Sequence, residues 1–166
     1  METINEDERR RSKTQKYIEA LKHKRTDRRR SAAIALGEIH DHETVPYLAE
    51  ALRDEDGEVR EQVARALGKI GGQAVVPYLV TALKDDWAAT QCVAAQALRK
   101  MGDRAAIPGL IDALDDDNEV VVVEVAGTLA SLGEKSAVPV LRKLLKSSDP
   151  FVPMMAARAL KQFAGE

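Results

Sequence analysis

Three groups of residues in this chain have side chains that could do chemistry: the thiol Cys92, the run His40-Asp41-His42-Glu43, and the carboxylates Asp115-Asp116-Asp117. A cysteine nucleophile needs a base close enough to ionise it. On a helix the neighbours of Cys92 would be Ala88, Ala89, Ala95 and Gln96, none of them a histidine. It reads as a small packed thiol. The His-Glu run lies in a loop, where consecutive side chains diverge, and no second ligand group stands at a matching spacing. Asp115–Asp117 forms a turn without a surrounding ring of oxygen ligands. Gly71-Gly72 lacks the Lys-Ser/Thr that would complete a phosphate-binding loop. No catalytic residue, metal site or cofactor is expected, and the chemistry that remains is recognition.

Recognition depends on the elements that carry the side chains, and these repeat. Prolines stand at 46, 77, 108 and 139, each 31 residues after the last. Alanine recurs at 33, 64, 95, 126 and 157, and leucine at 36, 67, 98, 129 and 160. Ile39, Ile70, Met101, Leu132 and Phe163 keep a large apolar residue in the same register, as do Leu21, Leu52, Leu83, Leu114 and Leu145. A fixed period of this size marks a stacked repeat architecture. Five units are expected, at about 11–41, 42–72, 73–103, 104–134 and 135–166, behind a polar extension at 1–10. Within a unit the apolar spacing switches between two helices: Val45, Leu48 and Leu52 share one face, then Val59, Val63, Leu67 and Ile70 another. Asp54–Gly57 is turn-like, Gly71, Gly102 and Gly133 end the second helices, and each proline suits the first turn of a first helix. Val120–Val123 is the one β-branched run, and the register places it inside a helix. A single hairpin of this kind cannot bury its apolar face alone, so the units must stack into an all-α solenoid. The expectation is a right-handed superhelix with the second helices lining its concave side.

The phrase Val45-Pro46, Leu52-x-Asp54, Val59-Arg60, Ala66-Leu67-Gly68 and Ile70-Gly71 resembles the short HEAT-like repeat of the phycobilisome lyase type. The resemblance extends over about residues 14–164. It implies that the Arg of Val-Arg pairs with a loop Asp of its own or the adjacent unit. It also implies two kinds of role: a binding scaffold, or a bilin lyase-like or pigment-chaperone subunit acting on an antenna protein. Deoxyhypusine hydroxylase, another HEAT-like family, carries repeated His-Glu pairs on its inner helices. Here the inner helices have no histidine, which argues against that activity.

Function in a repeat protein is expected where a unit departs from its own pattern. The Val-Arg arginine is kept at Arg60, and Arg29 fills the same slot, but Gln91, Val122 and Pro153 follow. The outward positions of the second helices pass from Glu61, Gln62, Arg65 and Lys69 to Cys92, Val93, Gln96 and Lys100, then Val123, Glu124, Gly127 and Ser131, then Met154, Met155, Arg158 and Gln162. Trp87 and Phe151 stand in the adjoining turns. The candidate protein-binding residues are therefore Trp87, Val93, Gln96, Val123, Glu124, Met154, Met155 and Arg158, an apolar strip with charges at its edge. The alternative is that a small helix rotation packs Val123 and Met155 into the core.

Composition narrows the partner. Charged residues make up 31% of the chain with a net charge of −2. Residues 1–30 carry eleven Lys/Arg and six Asp/Glu, a local excess of +5. Arg28, Arg29 and Arg30 are the candidate electrostatic contacts there, for nucleic acid or an acidic protein; a polar capping unit accounts for the same charges. Interleaved aromatics are missing apart from Tyr17, which disfavours nucleic acid. One cysteine excludes an internal disulfide and fits the reducing cytoplasm, and no apolar N-terminal run suggests secretion or a membrane. The leading expectation is a non-enzymatic scaffold for another protein. A homodimer through the C-terminal repeat is a further arrangement, suggested by Phe163–Glu166 ending the last helix.

Overall fold

The computed structural model describes residues 5–163. Ten α-helices alternate along the chain: α1 Glu6–Ala20, α2 Thr26–Ile39, α3 Val45–Ala51, α4 Gly57–Ile70, α5 Val76–Ala82, α6 Ala88–Met101, α7 Ile107–Asp112, α8 Glu119–Ser131, α9 Ala137–Leu144 and α10 Val152–Leu160. No strand occurs among the described residues. α1 starts inside the segment expected as a polar extension, with Asn5 as N-cap in a capping box with Glu8. Residues 1–4 and Ala164–Glu166 lie outside the described residues, and with them part of that extension and most of the expected C-terminal contact.

Local chemistry sets the helix bounds. Pro46, Pro77 and Pro108 occupy the first two positions of α3, α5 and α7, where the missing N–H has no helical partner to lose. Asp56 caps α4 by accepting from the Val59 N–H at 3.1 Å, and Asn118 caps α8 by accepting from Val120 at 3.0 Å. Gly71, Gly102 and Gly133 follow the second helices at φ of 68°, 67° and 73°. The equivalent residue one unit earlier is His40, which adopts φ 54° with a side chain attached.

Second helices α2, α4, α6, α8 and α10 pack in sequence, each also covering its own first helix. The alanines at 33, 64, 95 and 126 and the leucines at 36, 67, 98 and 129 are fully buried in this layer. Each such leucine contributes about 1.5–3 kcal/mol of burial. Ala157 and Leu160, on the last of the long helices, are exposed and half-buried. The leucine series 21, 52, 83, 114, 145 is less uniform than its spacing suggests, since Leu145 is 42% exposed. Gly37 and Gly68 let the second helices close up: a Cβ on either would stand 2.9 Å from Ala66 Cα or 2.6 Å from Ala97 Cβ. First helices stand further apart, and a cleft of about 620 Å³ opens between α1 and the turn leading into α3. A stack that is tight on one layer and splayed on the other must curve with the tight layer inside. The second helices therefore form the concave wall, and their outward side chains are the ones that converge.

Candidate binding face

Buried ion pairs tie successive units together behind this face. The Arg29 guanidinium donates to both oxygens of Asp54, at 2.6 and 2.9 Å, with both side chains 8% exposed. One unit on, Arg60 donates to Asp85 at 2.8 and 2.9 Å and to the Asp54 carbonyl at 2.8 Å. The facing carboxylates hold both arginines further into their charged form than usual. At the next position Gln91 donates to Asp116 at 2.6 Å and to the Leu83 carbonyl at 3.1 Å. Gln91 therefore continues the ladder as a neutral rung although the arginine is lost from the sequence at this unit. It stops one unit later, where Val122 is buried and Ser147 replaces the aspartate.

This corrects the expected N-terminal contact. Arg29 is buried and belongs to the ladder. Arg30 is half-buried and donates to Glu58, and Arg28 is exposed. Two of the three arginines are already spent within the fold.

The concave wall changes character along its length. In the N-terminal units its charges pair with one another: Lys69 with Glu38, and Arg65 with Glu61 at 2.8 Å. Further along, Gln96 donates to Glu124 at 3.3 Å, and Arg99 stands 3.7 Å from the other Glu124 oxygen, which is buried and accepts no hydrogen bond. Arg158 and Gln96 are exposed, Met155 is half-buried, and Met154 is 59% exposed. Val93 and Val123 depart from expectation: they are 8% and 3% exposed and belong to the core. The reason is enclosure on both sides: α4 and α8 flank α6, which carries Val93, while α6 and α10 flank α8, which α7 and α9 support from behind. That enclosure buries Val121–Val123 and Val125–Ala130, leaving Val120 and Ser131 exposed and Glu124 half-buried. Hydrophobic spacing identified the stripe but could not tell which neighbouring helix would close over it.

Exposed apolar side chains are scattered over the first helices as Tyr47, Tyr78 and Ile111, and a further group gathers on the rim where the last three second helices begin. Glu58, Ala89, Val120 and Phe151 occupy equivalent positions 31 residues apart, and the last two are 44% and 67% exposed. Val120 was absent from the sequence-derived candidates because its valine run masked the one member that faces out; the 31-residue register with Phe151 was the available signal. Trp87 joins the rim as N-cap of α6, where Asp56 and Asn118 supply a capping oxygen to their own helices and Trp87 supplies none. Its indole lies on Gly57, where an added Cβ would come within 2.7 Å of the ring, and it is 45% exposed.

Cys92, half-buried on α6, has its thiol pushed up to about 11, first by burial and then by the charges of Glu124 and Asp116. A thiol so held is protonated near neutral pH and is a poor nucleophile. Among the described residues no three His, Cys, Asp or Glu side chains gather as a metal site, and no helix is long and apolar enough to cross a membrane.

No curated protein matches the chain. Among solved structures, the complex of CpcE and CpcF of phycocyanin lyase from Nostoc sp. PCC7120 superposes with a TM-score of 0.77 at 28% identity, over 92% of this chain and 65% of that one. The chain thus spans under two-thirds of that lyase chain. An engineered protein aligns at TM-score 0.63 and 26% identity, over 92% of this chain and 79% of its own. A designed armadillo repeat protein, solved in complex with the peptide (KR)4, aligns at 0.59 and 21% identity, over 92% and 86%, which is a likeness of fold. The PBS lyase HEAT-like repeat matches residues 90–116, and HEAT repeats match residues 14–99 and 107–166. With an α-solenoid of paired helices and this coverage, the chain belongs to the HEAT-repeat family.

Proposed function

We propose that the protein is a non-enzymatic scaffold that holds a segment of another protein along the rim and inner wall of its last three units. Trp87, Val120, Phe151 and Met154 supply apolar anchors, and Gln96, Glu124 and Arg158 set the orientation of the bound segment. The observation that carries this reading is the graded rim. Equivalent positions change from Glu58 to Ala89, Val120 and Phe151, with Phe151 67% exposed as N-cap of α10 and Met154 59% exposed in the first turn of that helix. Large apolar side chains held in water cost solubility and give nothing to the fold, whereas aromatic and methionine anchors are what interfaces use.

The test compares capture from source-cell lysate by immobilised wild type and by Phe151→Glu/Met154→Glu. Both substituted side chains are exposed, so helicity and melting temperature should stay near wild type. A protein held by wild type and lost from the folded variant is the expected result. Equal recovery on both overturns the reading.

A second reading is a subunit of a lyase-type assembly, favoured by the 28% identity to the phycocyanin lyase complex over 92% of the chain. That assembly is a complex of two subunits, CpcE and CpcF, so the partner would be a second subunit. A visible absorption band on mixing with an open-chain tetrapyrrole, strengthened by an apo-antenna protein, is its expected signature. Its absence under both conditions removes this reading and leaves the first standing.

A further inference from the structure

We infer that the concave wall contains a seat for one carboxylate, formed by Arg99, Gly127 and Arg158, which takes an Asp or Glu side chain of the bound segment. The inference rests on the scaffold reading and names the chemistry of its partner.

The seat arises from two departures from the repeat. Position 37 and its equivalent 68 are glycine, and there the next helix closes in. The third member of that series is Arg99, whose side chain cannot fit between helices and instead reaches out over α8. In the series Arg65, Gln96, Gly127 and Arg158, three members project long side chains from the wall, and Gly127 alone projects nothing. The nearest atom to a Cβ built on Gly127 is a terminal nitrogen of Arg99, at 3.9 Å. The result is a depression of about 250 Å³ between α6, α8 and α10, lined by Arg99, Gly127, Met155 and Arg158 among others.

Its electrostatics favour a single anion. Arg99 has one acidic neighbour, Glu124, at 3.7 Å, longer than a hydrogen bond, so its donors remain available. Arg158 has no ion-pair partner among the described residues, in contrast with Arg30, Arg65 and Lys69 on the same wall. Two guanidinia against one carboxylate leave one positive charge. The Ser131 hydroxyl donates to the Gly127 carbonyl at 3.0 Å, and the Gln162 amide also lines the depression. Planar guanidinium forks match a carboxylate with paired hydrogen bonds, and partial burial strengthens them over the same contact in water.

The test is a titration of the free protein with sodium acetate, followed through the arginine Nε–H resonances, beside Gly127→Gln and Arg158→Gln. Gln at 127 fills the depression from a helical position with room for its Cβ, and Arg158 is exposed, so both variants should fold. Saturable shifts confined to Arg99 and Arg158 in wild type, and reduced at least fivefold in both variants, are the expected outcome. Shifts of equal size at the surface residues Arg28 and Arg142, or no saturation by ~0.1 M acetate, overturn the seat. Phosphate binding more than tenfold tighter than acetate overturns its assignment to carboxylate. Partner capture separates this inference from the one beneath it. Capture lost in Phe151→Glu/Met154→Glu but kept in full by Gly127→Gln leaves the scaffold and removes the seat, whereas capture unaffected by any of them removes both.

Discussion

Replacing Arg60 tests the claim that the ladder behind the concave wall carries much of the coupling between units. Arg60→Ala removes two bonds to Asp85 at 2.8 and 2.9 Å, one to the exposed Asp86 carboxylate, one to the Asp54 carbonyl at 2.8 Å and a weaker one to the Glu55 carbonyl at 3.3 Å. Asp85 is then left in a site where its side chain is 9% exposed. Removing one member of a buried pair costs about 3–5 kcal/mol. Asp85 keeps the backbone N–H of Trp87 at 2.8 Å, which places the expected loss near the lower end, about 3 kcal/mol. For a chain of this size that lowers the melting temperature by roughly 6–12 °C. Arg60→Gln should cost far less, about 1–2 kcal/mol, because a neutral amide already serves this position in Gln91 and reaches Asp116 at 2.6 Å. Urea and thermal unfolding followed by far-UV circular dichroism would measure both variants. The slope should be read along with the midpoint, since a stack can lose cooperativity when one interface weakens. A loss below about 1 kcal/mol for alanine, or equal losses for alanine and glutamine, would refute the argument that the buried carboxylate sets the cost.

Two further outcomes follow from single positions. His40→Gly should raise stability by about 0.5–1 kcal/mol, seen as a higher unfolding midpoint, because His40 holds φ 54° where the equivalent Gly71, Gly102 and Gly133 pay no Cβ penalty. A lowered midpoint would mean that the contact of its ring with the Glu38 carbonyl at 3.0 Å outweighs the backbone term. Cys92 should react with iodoacetamide at pH 8 about 100-fold more slowly in the folded chain than in urea, since its thiol is raised from 9.0 to about 11. The sign for stability follows: the folded state favours the protonated thiol, so this contribution is complete below pH 9 and is lost as pH rises through about 11. Equal alkylation rates in the two states would show that Cys92 is not shielded.

Much of the architecture could be read from residue spacing because a repeat states the same local rule several times over. Proline at the helix start, glycine at the helix end and alanine and leucine at fixed offsets are short-range constraints, and the first four units obey them where they occur while the last departs at Ala157 and Leu160. The same local logic located the inner-wall positions and singled out Trp87, Met154 and Arg158, all of which are exposed. Periodicity had no means of choosing between groove and core for a stripe residue one turn from its neighbours. That choice depends on how tightly neighbouring second helices close on α6 and α8, which is a long-range packing outcome, and it buried Val93 and Val123 while leaving Val120 outside. Charge pairing was likewise decided in three dimensions. A run such as Arg28-Arg29-Arg30 looks uniform along the chain, but consecutive residues on a helix point about 100° apart. One of the three therefore enters the ladder, one meets Glu58 and one meets water. The depression between Arg99 and Arg158 is likewise a tertiary feature: spacing along the chain puts Gly127 and Arg158 on outward positions, but only the packing of α6, α8 and α10 brings them together with Arg99 around one hollow.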